Sequence, residues 1–349
     1  MTWTKLHDLL ACTPTPFTNA AIIKNARETP EAIVSVDDRG YTPLHIAVTS
    51  NVPALEAIKA LLKVYPSAVM TKDLHGDTPM HLALHANTSL ELIAVLLQAC
   101  PNVAFERNKE GLMPLHVACR YCCDKKDVIQ LLLKANPSAL RARTKLGSLV
   151  KKKSKVAPSS LVKDESFSMN NHHLVLDGTT SSSWRSSQIK TSSETQFDER
   201  SKQLRDGSYP LHMAITNSAP FPVIEMLIKA APDVLSLTDK FDRTCLHLAV
   251  ANGATLDSIV NVDPITLKET IIERYPMTTM EVLELIHSTN IKQICQEDKS
   301  KNLPLHTAMQ RGCAAKCEEF LIQEYPQAVD AMNIDNLTPS DLALKRRKE

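Results

Sequence analysis

The stretch Thr42-Pro43-Leu44-His45-Ile46-Ala47 decides the fold, because close copies of it return along the chain. The second residue of each complete copy serves as a reference position, and it is a proline in every copy except one, where it is Cys245. A histidine follows this position by two residues and an alanine follows it by four. Short units that recur in this way predict a fold made by stacking one supersecondary unit on the next. The other complete copies are residues 78–83, 113–118, 209–214, 244–249 and 303–308, and a degraded copy is 338–343.

A second proline landmark follows most copies of the motif by 22 or 23 residues. Between the two landmarks, apolar residues recur at spacings of three and four, as at Leu55, Ile58, Leu61 and Leu62, which is typical of an amphipathic helix. The reference proline fits the first turn of a helix, where the amide it lacks would have been unpaired. Each unit is therefore predicted to be an inner helix, a turn and an outer helix. The second prolines, predicted to end the outer helices, are Pro30, Pro66, Pro101, Pro137, Pro232 and Pro326.

Tight tips are predicted to join consecutive units. An acid or amide lies six residues before each reference position, and glycine follows it by three residues in several copies, as at Gly40 and Gly76. Glycine accepts the positive φ that such turns need, and Asp and Asn side chains hydrogen-bond to nearby backbone amides. The acids and amides are Asp37, Asp73, Asn108, Asp239, Asp298 and Asn333.

These motifs resemble the ankyrin repeat, and the resemblance covers about four fifths of the chain. It implies an all-α solenoid of helix-turn-helix units joined by β-hairpin-like tips. It also implies that each motif histidine bonds the backbone across its own turn and the backbone of the next repeat. The implied function is that of a non-catalytic scaffold or adaptor, which binds a protein partner on the concave face of the array.

The repeats define the domain organisation. We predict a degenerate N-terminal capping repeat at 1–40, repeats 1–3 at 41–147, repeats 4–6 at 207–336, and a C-terminal half-repeat cap with a basic tail at 337–349. Between the two sets of repeats, residues 148–206 hold 14 serines and few apolar residues, a composition that predicts a disordered Ser/Lys-rich loop. This loop is expected to tune partner access, by phosphorylation for example.

Repeat 5 is longer than the other repeats, and the additional residues, near 253–279, are predicted to form a helical insertion. Residues 265–276 have helical spacing, and Asp263 precedes them as a plausible cap. The pattern leaves open whether this segment or residues 280–286 form the outer helix of repeat 5.

Composition excludes several classes of protein. The formal net charge is +1, so no global field draws the chain to nucleic acid or to an anionic membrane. Residues 1–8 lack the layout of a secretory signal, and no apolar stretch has the length of a membrane span. Nine cysteines on no shared spacing favour reduced thiols. We therefore expect an intracellular, cytoplasmic protein, with the nucleus left open, and no cofactor or small-molecule substrate.

Two motifs suggest alternative chemistry, namely a metal- or thiol-dependent enzyme. His81 and His85 lie one helical turn apart, as a metal pair would, but without an obvious third ligand. Cys122 and Cys123 fall in a turn after the inner helix of repeat 3, where we expect exposed and modifiable thiols. By contrast, Cys119 falls in a predicted core column with Val48, Leu84, Ile215, Val250 and Met309.

A weak nucleic-acid-binding regulator is the other alternative. Basic clusters at 151–155 and 345–348 could serve nuclear import or bind an anionic surface. The loop at 148–206 carries only ten basic against seven acidic residues, which does not favour sequence-specific binding.

The candidate protein-binding residues are those that differ between repeats at the tips and at the ends of the inner helices. Scaffold positions are shared by all repeats, so the unlike residues are the ones free to specify a partner. Arg120, Tyr121 and Phe241 are the first choices, because Arg and aromatic residues dominate binding energy at interfaces. The full set is Arg39, Tyr41, Leu74, His75, His85, Lys109, Glu110, Arg120, Tyr121, Lys240, Phe241, Arg243, Gln310 and Arg311.

Overall fold

The computed structural model describes residues 21–49 except 23, 26 and 30, and then 55–144, 207–252, 260–262, 269–271 and 280–347. The predicted loop at 148–206 and the first part of the predicted N-terminal cap lie outside the described residues. In chain order the described helices are α1 (Glu31–Val34), α2 (Pro43–Thr49), α3 (Leu55–Val64), α4 (Pro79–His85), α5 (Leu90–Ala99), α6 (Pro114–Tyr121), α7 (Lys126–Ala135), α8 (Pro210–Thr216), α9 (Phe221–Ala230), α10 (Cys245–Asn252), α11 (Met280–Thr289), α12 (Pro304–Arg311), α13 (Ala315–Glu324) and α14 (Pro339–Arg346).

These helices form six inner–outer pairs, which we number repeats 1 to 6, and α14 follows as a further inner helix. Repeat 1 consists of α2 and α3, and repeat 6 consists of α12 and α13. Each inner helix packs on the next inner helix, from α2 to α14, and each outer helix packs on the next outer helix, from α3 to α13. The stacking therefore continues from repeat 3 to repeat 4, on either side of the long insertion.

The core lies between the inner and outer helices. Alanines of the motif, such as Ala83 and Ala118, have no exposed surface and let neighbouring inner helices approach closely. Leu44, Leu115 and Leu246 fill the adjacent column and are at most 1% exposed. In the predicted core column that contains Cys119, every member is buried except Met309, which is half-buried. The all-α repeat fold predicted from the motif is confirmed.

Outer helices end earlier than the proline pattern predicts. Five of the six outer helices stop two residues before the second landmark, and a short 3-10 turn follows, as at Pro66–Met70 after α3 and Pro101–Phe105 after α5. The proline is the first residue of this turn. It disfavours helical geometry at the preceding residue, and Tyr65 accordingly has φ −140° and ψ 81°. Helix α11 has no such proline and is followed by the 3-10 turn Ile291–Cys295.

The prediction of a helical insertion near 253–279 is wrong for the residues that the structure describes there. Val260–Val262 (β1) and Glu269–Ile271 (β2) form an antiparallel pair, with Val260 opposite Ile271. Three of these six residues are Val or Ile and one is Thr, which favour extended backbone. Helix α11 is the outer helix of repeat 5, since it packs on α10 of its own repeat and on α9 and α13 of the neighbouring repeats.

The base of the interrupted tip keeps the hydrogen bonds of an ordinary tip. In tip 73–77, Asp73 N–H donates to Asp77 O at 2.9 Å, and Asp77 N–H donates to Asp73 Oδ1 at 2.8 Å. At the insertion, Thr144 N–H donates to Ser208 O and Ser208 N–H donates to Thr144 Oγ1, both at 3.0 Å. The chain thus leaves and rejoins the array through a closed turn base, which explains how the repeats tolerate so long an insertion.

Candidate functional site

The motif histidines are part of the scaffold. In each of the six, Nδ1 accepts a hydrogen bond from the backbone N–H three residues earlier, as His116 does from Met113 at 3.2 Å. Nε2 then carries the proton and, in five of them, donates to a carbonyl further along the array, as His116 does to Ala142 O at 2.9 Å. His212 is the exception, since its Nε2 makes no well-formed hydrogen bond to any of the described residues, although an interaction with the Leu237 backbone raises the pKa of the ring. The role implied by the resemblance is therefore the one observed.

Burial keeps these rings neutral. It lowers the pKa of His45, His81, His247 and His306, and it lowers the pKa of His116 to about 3. Burial also lowers the pKa of the remaining ring, His212, to about 4. Buried neutral rings that bond backbone on both sides are structural groups, and they leave no lone pair for a substrate or a metal.

The structure argues against the hypothesis that His81 and His85 bind a metal ion together. His81 is 1% exposed, and both of its ring nitrogens are hydrogen-bonded, to Thr78 and to Leu112. His85 instead lies on the surface, with its ring against Tyr121. Within the described residues, no group of three or more His, Cys, Asp or Glu side chains is arranged to hold a metal ion.

The expectation of exposed thiols at Cys122 and Cys123 is wrong. Cys122 is 1% exposed, and its Sγ–H donates to Leu84 O at 3.1 Å. Cys123 is half-buried, and its Sγ–H donates to Asn217 O at 3.5 Å, across the junction between repeats 3 and 4. The turn packs against both neighbouring repeats, which the sequence spacing alone does not reveal.

Burial raises the pKa of the Cys122 thiol to about 11 and also raises that of Cys123. We predict that iodoacetamide at about pH 8, below the ordinary thiol pKa, labels the exposed Cys295 first and reaches Cys122 only after unfolding, because the thiolate is the reactive form. Peptide mass spectrometry after brief labelling measures this order. Fast labelling of Cys122 in folded protein would contradict it.

The candidate binding residues occupy the tips and the ends of the inner helices, and six of them line a single groove between repeats 2 and 3. We call this the 2/3 groove; its volume is about 260 Å³. It is lined by His75, His85, Lys109, Glu110, Arg120 and Tyr121, together with scaffold residues such as Asp77 and Leu82.

Successive repeats position the two walls of the 2/3 groove. Lys109 N–H donates to His75 O at 3.0 Å, which holds tip 108–112 beside tip 73–77. At the ends of helices α4 and α6, the rings of His85 and Tyr121 lie 4.2 Å apart at an angle of 47°. The guanidinium carbon of Arg120 lies 5.0 Å from the centre of the Tyr121 ring. The groove therefore combines an aromatic pair with cationic side chains.

A second hollow lies at the first tip. It has a volume of about 430 Å³ and is lined by Arg39 and Tyr41, together with Asp37, Asp38, Ile46 and Thr49. Tyr41 stacks on the buried ring of His45, with ring centres 5.7 Å apart. Partial burial raises the pKa of the Tyr41 hydroxyl, as does the nearby Asp73 carboxylate. Leu74, which is 55% exposed, extends this surface toward the 2/3 groove, since its N–H donates to Arg39 O at 3.2 Å.

Lys240, Phe241 and Arg243 form a separate cluster on tip 239–243. The Lys240 ammonium nitrogen and the Arg243 guanidinium carbon lie 4.9 Å and 4.8 Å from the centre of the Phe241 ring. Arg243 is also paired with the buried Asp239 at 2.6 Å, so it serves the turn as well as the surface. Gln310 and Arg311 are exposed at the end of α12, away from the 2/3 groove.

Sequence reasoning missed two exposed lysines on the next tip, Lys299 and Lys301. The sequence contains the information needed to find them. Lys299 and Lys301 lie five and three residues before Pro304, and Lys240 and Asp242 lie at the same distances before Cys245. The signal that would have found them is the comparison of tip 298–302 with tip 239–243.

The basic clusters give little support to the alternative of nucleic-acid binding. Residues 151–155 lie outside the described residues. At the C-terminus, Arg346 Nη1 donates to Met309 O at 3.0 Å, so this cation joins α14 to the repeat before it. None of the helices in the described part of the chain is long and apolar enough to cross a membrane.

Comparison with known proteins agrees with the repeat pattern. A family model described as ankyrin repeats, in three copies, matches residues 53–141. No curated protein sequence matches this chain. The crystal structure of the ankyrin repeat domain of Bcl-3, described as a unique member of the IkappaB protein family, is similar over 92% of this chain and 98% of that chain, with a TM-score of 0.52 and 16% identity. At this identity the similarity shows the fold alone.

Proposed function

We propose that this chain, which has the ankyrin-repeat fold, acts as a non-catalytic scaffold or adaptor, and that it binds a protein partner through its tips and inner-helix ends on the concave face. Ankyrin repeats are generally protein-interaction modules. The observation that carries the proposal is the 2/3 groove, where six candidate residues from two repeats line one hollow and the Tyr121 ring contacts His85 and Arg120.

Scaffold side chains and groove side chains make different kinds of contact, and this difference supports the proposal. Scaffold groups such as the His116 ring nitrogens and Asp73 Oδ1 form hydrogen bonds to the backbone of their own or the next repeat. The groove residues instead present aromatic and cationic groups at the surface, and Tyr and Arg are the residue types that most often dominate binding energy. Tyr121 is half-buried, so a partner would gain contact area from a ring that is already positioned.

The test compares two triple variants of the full chain. Arg120→Ala, Tyr121→Ala and Phe241→Ala together are expected to weaken binding of the partner by about 2 kcal/mol or more, roughly 30-fold, because they remove three predicted anchor residues. The partner is captured from native extract with wild-type protein and purified, and its Kd for each variant is then measured by biolayer interferometry.

The matched control is Lys63→Ala, Tyr65→Ala and Phe105→Ala, which removes a cation and two exposed aromatic rings from α3 and the 3-10 turns. It should bind like wild type. Equal losses in both variants, with circular dichroism showing that both are folded, would contradict the proposed surface.

We also propose that the serine-rich insertion modulates partner binding. The chain enters and leaves it at Thr144 and Ser208, at the base of a tip. A phosphate on one of its serines would add negative charge and acceptor oxygens of the kind that Arg and Lys side chains bind. The change Ser186→Glu is expected to shift the partner Kd by roughly two- to tenfold, while Ser186→Ala should leave it near the wild-type value. Identical Kd values for the two variants would remove this part of the proposal.

A further inference from the structure

Asp239 and Asp298, the first residues of tips 239–243 and 298–302, direct their carboxylates into their own turns. Asp239 is 1% exposed, and its Oδ1 accepts from the N–H groups of Phe241 and Arg243 at 2.8 and 3.0 Å. Its Oδ2 accepts from Arg243 Nε at 2.8 Å. Asp298 Oδ1 likewise accepts from two amides of its own turn, at 2.8 and 2.9 Å. Hydrogen bonds from their own turns therefore stabilise the negative charge of these two carboxylates, which contribute little negative charge to the outer surface.

Lysines dominate the outward charge of the same two tips. Lys299 and Lys301 are exposed, and Lys240 lies half-buried beside the Phe241 ring. Asp242 is the exposed acid among them. Phe241 is 37% exposed at the centre, and Lys299 N–H donates to Phe241 O at 2.9 Å, which holds the two tips side by side. We call Lys240, Phe241, Lys299 and Lys301 the 5/6 patch.

The exposed residues of the first and last tips differ from those of the 5/6 patch. At the first tip the exposed residues are Asp38 and Arg39, of opposite charge, and at the last tip they include Ile334 and Asp335. An exposed aromatic ring that contacts the Lys240 ammonium and the Arg243 guanidinium, with two exposed lysines on the adjacent tip, favours a ligand that brings negative charge together with an apolar group, since the charges attract and the ring gains contact area.

We propose that the 5/6 patch binds an acidic segment of the partner protein, in which glutamate or aspartate residues flank an apolar side chain. The inference rests on the proposed protein-binding function and adds the chemistry of the partner. Carboxylates would pair with Lys299 and Lys301, and the apolar side chain would cover Phe241. Binding of this kind weakens as salt rises, because exposed charges are screened.

The test uses the full chain and a short fluorescein-labelled peptide in which glutamates flank one phenylalanine, with fluorescence anisotropy as the readout at low salt. Lys299→Glu with Lys301→Asn is expected to weaken peptide binding roughly tenfold or more. Asparagine is chosen at 301 because it tolerates the positive φ of 57° there. Phe241→Ala is expected to weaken binding roughly three- to tenfold.

The matched control makes the same change in net charge on α7, with Lys126→Glu and Lys134→Gln, both exposed and distant from the tips. It should keep the peptide affinity within about twofold of wild type, as expected for charges outside the interface. Equal losses in the patch variant and the control would overturn the proposal. So would single-stranded DNA that binds as tightly as the peptide and loses affinity with the same lysines, since the patch would then be a nucleic-acid site.

The outcome is separable from that of the proposed function. The partner Kd is therefore also measured for the double variant Arg120→Ala with Tyr121→Ala, which leaves Phe241 of the 5/6 patch in place. If the glutamate peptide does not bind, while this double variant still binds the captured partner more weakly than wild type, only the acidic-segment proposal fails. If the peptide binds at the 5/6 patch and the partner is insensitive to the 2/3 groove, the groove assignment fails instead.

Discussion

The free energy of unfolding is expected to fall by about 2 kcal/mol for each of His116 and His212 when the pH is lowered from about 7.5 to about 5. Burial lowers the folded-state pKa of His116 to about 3 and that of His212 to about 4, whereas the unfolded chain titrates near the ordinary value of ~6.5. As the pH falls from about 7.5 to about 5, these histidines become protonated in the unfolded state but stay neutral in the folded state. Stability is therefore full above the unfolded pKa and is lost as the pH falls toward the folded pKa.

The neighbours of these rings do not reverse that sign. Arg107 and His81 lower the pKa of His116 further, and the partly compensating Asp239 beside His212 still leaves its pKa well below the ordinary value. Urea unfolding followed by circular dichroism at several pH values measures the effect, with about 4 kcal/mol expected from these two histidines together. In His116→Gln the decrease should be smaller by about 2 kcal/mol, since one titrating group is gone. A stability that stays constant from about pH 7.5 to about pH 5 would contradict buried neutral rings.

Replacement of His116 by alanine is expected to cost about 3 to 4 kcal/mol of unfolding free energy at neutral pH. The ring is fully buried and joins Met113 N–H of its own turn to Ala142 O near the next tip. Its removal leaves a cavity and two backbone groups without their partner, which is more costly than the loss of one exposed hydrogen bond.

His75→Ala is the matched control, because it removes the same side chain from an exposed position on a neighbouring tip. It should change unfolding free energy by less than about 0.5 kcal/mol. Equal effects of the two substitutions would show that His116 is not a structural link. A partner-binding assay on His75→Ala would at the same time report on the wall of the 2/3 groove.

The sequence predicts the scaffold well because the scaffold obeys short-range rules. A proline at the first helical turn, a histidine three residues after the cap and an aspartate at the turn each have a local physical reason, and the structure places His81 and Asp73 in those roles. Twelve histidines could suggest a catalytic or metal site. Six of them, however, occupy the repeat motif, where their rings form hydrogen bonds to the backbone.

Features that depend on three-dimensional packing could not be predicted in this way. Cys122 is buried because Leu84 of the preceding repeat approaches it, and no local pattern announces that contact. The strand pair at 260–262 and 269–271 depends on pairing between two segments, which the helical spacing of residues 265–276 does not reveal. The meeting of His85 with Tyr121 likewise depends on how one inner helix stacks on the next.

The most direct test of the account is the protonation state of the His116 ring, since the assignment of the motif histidines to the scaffold leaves the surface as the place of function. Nitrogen-15 NMR of ring-labelled protein, with the His116 signals identified by their loss in His116→Gln, reports the tautomer and the titration. We predict a neutral ring with the proton on Nε2 that does not titrate until the protein unfolds in acid. A ring that titrates near pH ~6.5 in the folded protein, or that carries its proton on Nδ1, would contradict the account.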